Sequence, residues 1–151
     1  MKLLITGIPG TGKTTIGNYL QSAHGYEHFD IEDVLKKHGA TGLTMTDDFI
    51  KKPGDKKVIT WGFIPKTDDA LVKKLQDLEY KMVWFDGNRD AARREFLKRG
   101  DVSETLFDIQ MGKINKFSLE GFNPVILNTF DENGVFLKKE IIVEAIFEKC
   151  S

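Results

Sequence analysis

Residues 7 to 14 read Gly7-Ile8-Pro9-Gly10-Thr11-Gly12-Lys13-Thr14, a complete G-x-x-x-x-G-K-[ST] pattern. The residues before it, Lys2-Leu3-Leu4-Ile5-Thr6, are apolar and partly β-branched and predict a buried strand. The stretch from Thr14 to Ala23 predicts a helix. A glycine loop between strand and helix is the context in which this pattern cradles phosphate. Gly7, Gly10 and Gly12 let the backbone curl so that its N–H groups point inward, and the helix N-terminus adds partial positive charge. Lys13 is then expected to reach the β- and γ-phosphates of a nucleoside triphosphate, and Thr14 to offer its hydroxyl to Mg²⁺. Pro9, Thr11 and Thr15 complete the candidate nucleotide-binding stretch.

Outward from the loop, strand and helix patterns alternate. Short strands are predicted at Tyr26–Phe29, Lys57–Trp61, Lys81–Phe85 and Pro124–Asn128. Helices are predicted at Ile31–His38, from Thr67-Asp68-Asp69 to about Leu78, at Asp90–Arg99, and from the Asp101–Glu104 capping spacing to about Phe117. A closing amphipathic helix is predicted at Leu137–Lys149. Residues 39–56, with three glycines and a proline, read as a loop-rich insert holding one helical turn around Thr46–Lys51. The whole predicts an α/β fold with a doubly wound, five-stranded, mostly parallel sheet. The 151 residues form one predicted domain, without repeats or linkers.

Composition narrows the classes. The chain is 40% hydrophobic and 30% charged with net charge −1, so a disordered chain is excluded and a broad nucleic-acid-binding surface is disfavoured. No apolar run is long enough to span a membrane. The chain begins directly on its first strand and has one cysteine, Cys150, so a cytoplasmic protein without a leader is expected. The expected partners are a nucleoside triphosphate and a small-molecule acceptor, on a monomer or homodimer. His24, His28 and His38 lack metal-ligand spacing, so zinc is not assigned.

Ligands of such sheets bind beyond the carboxyl ends of the strands. That rule singles out Asp30, Gly62 and Asp86. In Asp30-Ile31-Glu32-Asp33, one carboxylate can hold Mg²⁺ and another can orient or deprotonate an attacking hydroxyl. The same Asp30 can instead cap the following helix. Asp86 ends Met82-Val83-Trp84-Phe85-Asp86, four apolar residues and an aspartate, and is a second candidate for the metal or a turn residue. Asp33, Gly62 and Phe63 are candidate acceptor contacts. All four arginines fall between Arg89 and Arg99. They read either as a solvated helix face or as a phosphate clamp, because the guanidinium fork grips phosphate as lysine cannot. With Gly100 following, residues 99–103 form a candidate short lid.

Taken together, these motifs make the chain resemble the small P-loop kinases related to shikimate kinase, gluconate kinase and the adenylate-kinase-like nucleotide kinases. The resemblance implies a P-loop NTPase fold, ATP and Mg²⁺ as cofactors, and transfer of the γ-phosphoryl group to a small-molecule or nucleotide acceptor. It implies that Lys13, Asp30, Glu32 and Arg99 take part in catalysis, with Asp30 and Glu32 in the place of a D-x-D pair, and that Arg93 or Arg94 lies on the nucleotide side. Two departures stand out. Glu32 replaces the second aspartate, and residues 31–65 contain lysines but no arginine to grip an acceptor. A nucleotide-binding switch with slow hydrolysis is the alternative reading.

Overall fold

The run Leu3-Leu4-Ile5 is wholly buried, as the central strand of a parallel sheet must be. The computed structural model describes residues 1–62, 68–116 and 119–151. Its strands are β1 (Lys2–Gly7), β2 (Glu27–Asp30), β3 (Lys57–Thr60), β4 (Tyr80–Asp86) and β5 (Val125–Asn128). Its helices are α1 (Lys13–His24), α2 (Ile31–His38), α3 (Thr41–Lys51), α4 (Asp69–Asp77), α5 (Arg89–Leu97), α6 (Glu104–Asn115) and α7 (Lys139–Cys150). The strand order is β2-β3-β1-β4-β5, and every pairing is parallel. The sheet is therefore entirely, not mostly, parallel among the described residues.

Alternate side chains of the strands feed two cores. Leu3, Ile5, Val58, Val83, Phe85 and Leu127 face Ile16 and Leu20 of α1 and Ile142, Val143 and Ile146 of α7. Leu4, Ile59, Met82 and Trp84 face α3 to α6, through Ile50, Val72, Leu75, Phe96, Phe107 and Met111. Helices on both faces make the sheet doubly wound. The chain leaves β1 toward β2 and returns across it to β4, so the crevice opens at the carboxyl end of β1, where the glycine loop lies.

The expected loop-rich insert is corrected. Residues 41–51 form the three-turn helix α3. Gly42 and several Thr and Asp residues are poor helix formers, so local preference misreads the segment. One bond inside the helix and several tertiary contacts hold it. Thr46 donates to the Gly42 carbonyl at 2.8 Å, and the Phe49 ring stacks on Phe29 at 4.9 Å. The buried Lys57 side chain, at the start of β3, caps the helix by donating to the carbonyls of Phe49, Ile50 and Lys52. A cation at a helix C-terminus meets both the dipole and the orphan carbonyls. Burial pushes the Lys57 amine down, opposed by Glu27.

A second correction concerns α6. Its N-cap is Ser103, whose Oγ accepts from the Leu106 N–H, and not Asp101, which pairs with Lys36 and Arg99 instead. The remaining elements shift by a residue or two from their predicted ends. Thr67, expected to open α4, and Phe117, expected to end α6, lie outside the described residues.

Candidate functional site

The loop after β1 is fixed from inside and outside. Thr11 is fully buried, and its hydroxyl donates to the Ile8 carbonyl at 2.8 Å. Gly10 and Gly12 have φ of 78° and 83°, where side chains are strained, and they also lack room. A Cβ on Gly10 would strike the Ala92 carbonyl of α5, and one on Gly12 the Phe136 ring. Lys13 opens α1 and folds back over the loop, donating to the Ile8 carbonyl at 2.8 Å and the Gly7 carbonyl at 3.4 Å. Burial lowers its pKa to about 8, with Glu32 and Asp30 opposing the shift and Arg99 adding to it.

Asp30 resolves the two readings of its sequence position by dividing its oxygens. Oδ1 accepts from the Asp33 N–H at 3.0 Å and caps α2. Oδ2 accepts from the Thr14 hydroxyl at 2.6 Å and from the Thr60 hydroxyl at 3.1 Å. Capping and contact with the glycine-loop helix hold at once. Glu32, in the first turn of α2, reaches across to Gly62, whose N–H donates to Oε1 at 2.7 Å. A Cβ on Gly62 would occupy the place of that carboxylate oxygen.

These groups line one cleft of about 1010 Å³. Its walls include Gly7, Pro9, Gly10, Thr11, Gly12, Lys13, Thr14 and Thr15 on one side. Asp30, Glu32, Asp33 and Gly62 lie on another, with Arg99 at the rim. Phe63 lies outside the described residues. The other sequence candidates fall elsewhere. Asp86 is held by the Arg89 guanidinium and the Gly87 N–H and is not among the lining residues. Arg93 pairs with Asp108 of α6 at 2.6 Å and lies over the Phe107 ring, tying α5 to α6, and neither it nor Arg94 lines the cleft. The short lid is tied to α2, because Asp101 pairs with Lys36 at 3.2 Å. The hydrogen bond from Lys36 is the main cause of a lowered Asp101 carboxyl pKa.

Sequence reading missed several lining residues. Phe136, from the loop before α7, covers Gly12. Val34, Val102, Leu106 and Ile114 give the far wall an apolar stretch, with Lys36, Gln110 and Lys113 beside it. His28 lies on the floor, with its ring nitrogens 2.9 Å from Asn18 Oδ1 and 2.7 Å from Thr60 Oγ1. Burial lowers the His28 pKa, with Asp30 and Asp33 opposing. One signal was available: Gly17 sits inside α1, where glycine costs about 1 kcal/mol relative to alanine. The His28 ring fills the space a Cβ would take there.

The oxygen donors Thr14 and Asp30 fit Mg²⁺, which takes one or two protein oxygens and completes its shell with water and phosphate. Among the described residues, no group of three His, Cys, Asp or Glu forms a separate metal cluster. No described helix is long and apolar enough to cross a membrane.

Comparison with known proteins agrees with this architecture. Residues 3–60 match the family model of an AAA domain. The fold is similar to that of a shikimate kinase from Bacteroides thetaiotaomicron, with 18% identity over 99% of this chain and 97% of that one and a TM-score of 0.63. A shikimate kinase from Aquifex aeolicus gives 17% identity over 98% and 95%, with a TM-score of 0.65. A gluconokinase from Sinorhizobium meliloti gives 12% identity over 98% and 96%, with a TM-score of 0.54. No curated protein matches the sequence. Topology and glycine loop define an α/β domain with a five-stranded parallel sheet and a P-loop NTPase-like fold, the fold of those solved structures.

Proposed function

We propose that this chain is an ATP- and Mg²⁺-dependent phosphotransferase acting on a small acceptor. The observation that carries the reading is the Asp30 carboxylate. It joins the hydroxyl of the glycine-loop helix to the strand end that also carries Glu32, within one cleft. Thr14 donates its proton to Asp30, which leaves its oxygen lone pairs free for a cation. Thr14 and Asp30 would hold Mg²⁺, and the ion would supply positive charge beside the phosphates.

Each remaining role follows from position. The loop N–H groups hold the phosphates. Lys13 exchanges its backbone carbonyl partners for phosphate oxygens and stabilises charge on the transferring group. Glu32, fixed by the Gly62 N–H, accepts or orients the acceptor hydroxyl proton. Arg99, beside the lid at the cleft rim, adds positive charge over the phosphates. The far wall suits an acceptor that is compact, with an apolar edge and polar groups for Lys36, Gln110 and Lys113.

The test measures ADP release from Mg·ATP with a panel of nucleosides, nucleotides, sugars and hydroxy acids. Stimulation by one compact acceptor supports the reading, and slow turnover unaffected by any acceptor favours a nucleotide switch. Lys13→Ala is expected to lower transfer by about 100-fold or more. Full turnover in that variant would refute the mechanism.

A further inference from the structure

The floor of the cleft carries a chain of hydrogen bonds whose direction can be worked out. Register places Asp30 beside Thr60, and His28 two residues earlier on β2. An ionised carboxylate only accepts. Asp30 Oδ2 therefore receives one proton from Thr14 and one from Thr60. Thr60 has a single hydroxyl proton and has now used it. Its oxygen can meet His28 Nε2, 2.7 Å away, only by accepting. Nε2 must carry hydrogen. Nδ1, on the other edge of the ring, meets the side-chain amide of Asn18, which can turn either its oxygen or its nitrogen to it. The order is thus Asn18, His28, Thr60, Asp30, Thr14, and in a neutral ring Nδ1 accepts from the Asn18 amide once that amide turns its nitrogen to it.

Other features of the fold serve this chain. Thr60 is 1% exposed, so its hydroxyl has no water to replace a lost partner. Gly17 leaves the space in α1 against which the His28 ring lies.

We infer that His28 and Thr60 are positioning residues for phosphoryl transfer: the His28 Nε2–H directs the only proton of Thr60 to Asp30, and this holds the carboxylate where it draws the Thr14 proton and turns the Thr14 oxygen toward the metal. The inference rests on the proposed function for its metal, but its hydrogen-bond order stands apart from that function. Partners beyond the first contact orient metal-binding oxygens, and their loss costs roughly 10- to 100-fold in metal affinity or activity.

The test uses Thr60→Val, which keeps the branched shape and removes the hydroxyl, with Thr60→Ser as the conservative control. Two measurements are made on the full chain. The first is the ring ¹⁵N–¹H correlation spectrum of His28 at pH 8 without nucleotide. The wild type is expected to carry hydrogen on Nε2, and Thr60→Val to lose that preference. The second is ATP binding by calorimetry across an Mg²⁺ titration. Thr60→Val is expected to need roughly tenfold more Mg²⁺ for half-maximal effect, with ATP binding in the absence of Mg²⁺ unchanged. Thr60→Ser should restore both, which a loss of packing alone would not. Gly17→Ala, which leaves every hydrogen-bonding group in place but displaces the ring, should repeat the Mg²⁺ defect.

Wild-type His28 hydrogenated on Nδ1 alone would overturn the inference, as would an unchanged Mg²⁺ requirement in Thr60→Val. If the wild type binds Mg·ATP but transfers phosphate to no acceptor, the proposed function fails. The positioning inference is then still decided by the Mg²⁺ titration. If the wild type binds no ATP at all, both fail together.

Discussion

The ends of β2 and β4 look alike in sequence and differ in what surrounds them. Each strand closes on the pair Phe-Asp, Phe29-Asp30 and Phe85-Asp86, with a helix soon after. β4 pairs directly with β1, the strand that feeds the phosphate loop, whereas β2 is separated from β1 by β3. Proximity in the sheet therefore favours Asp86. The contacts favour Asp30. Asp86 closes locally on Gly87 and Arg89, within three residues of itself. Asp30 reaches Thr14 in α1 and Thr60 in β3, 16 and 30 residues away. The lesson is that adjacency of strands does not decide which carboxylate faces a ligand. The local turn after the strand does, because contacts inside that turn hold the Asp86 carboxylate against Gly87 and Arg89, away from the residues that line the cleft.

Asp30→Asn should break this contrast most severely. An amide cannot accept from Thr14, Thr60 and the Asp33 N–H with the strength of an ion, and it brings no charge to the metal. Transfer is expected to fall by roughly 100- to 1000-fold, the scale seen when one group stabilising transition-state charge is removed. Steady-state kinetics at saturating Mg²⁺ check it, and a change under threefold would return Asp30 to the role of a helix cap.

Gly62→Ala probes the same strand end more gently. The added methyl displaces the Glu32 carboxylate without entering the core, since the atom it meets is the tip of a flexible side chain. About a tenfold loss of turnover is expected, in the range of acid–base contributions. The melting temperature should barely move. A large fall in melting temperature with intact turnover would mean that the contact is only structural.

The third prediction concerns Lys13. Its depressed pKa of about 8 is set by burial and opposed by Glu32 and Asp30. Bound phosphate favours the ammonium form, so nucleotide binding near pH 8 should take up a fraction of a proton, and affinity should fall as pH rises above about 8. Calorimetry in two buffers of different ionisation enthalpy reads the proton directly. The free protein shows the opposite sense. Between about 8 and 10.5 the unfolded chain binds more protons at this group, so its unfavourable contribution to stability is full below that window and is relieved as pH rises through it. Asp30→Asn should alter the uptake, and Asp86→Asn should not.

The smallest effect is expected at Asp86 itself. Asp86→Asn loosens a half-exposed pair with Arg89 and should cost no more than about 1 kcal/mol of stability, read by urea denaturation, with turnover near that of the wild type. A hundredfold loss of turnover would reverse the comparison on which the site rests.

The sequence alone determined the phosphate loop, the alternation of strand and helix, and the placement of Asp30 and Gly62 at strand ends. These are local properties. A loop that binds phosphate through successive backbone N–H groups needs only its own spacing, and a buried strand announces itself by an apolar run. Helix α3 was hidden because contacts with Lys57 and Phe29, both outside it, hold residues of weak helix preference. The arginine cluster misled in part. Arg93 and Arg89 resemble a phosphate clamp in spacing, yet each is already paired with an aspartate. Only the tertiary structure decided which carboxylate joins the loop, why Gly62 and Gly17 are glycines, and that His28 belongs to the site. The physical reason is the register of β2 on β3, which sets Asp30 beside Thr60 across a gap of 30 residues. No pattern confined to one segment records a hydrogen bond made across that distance.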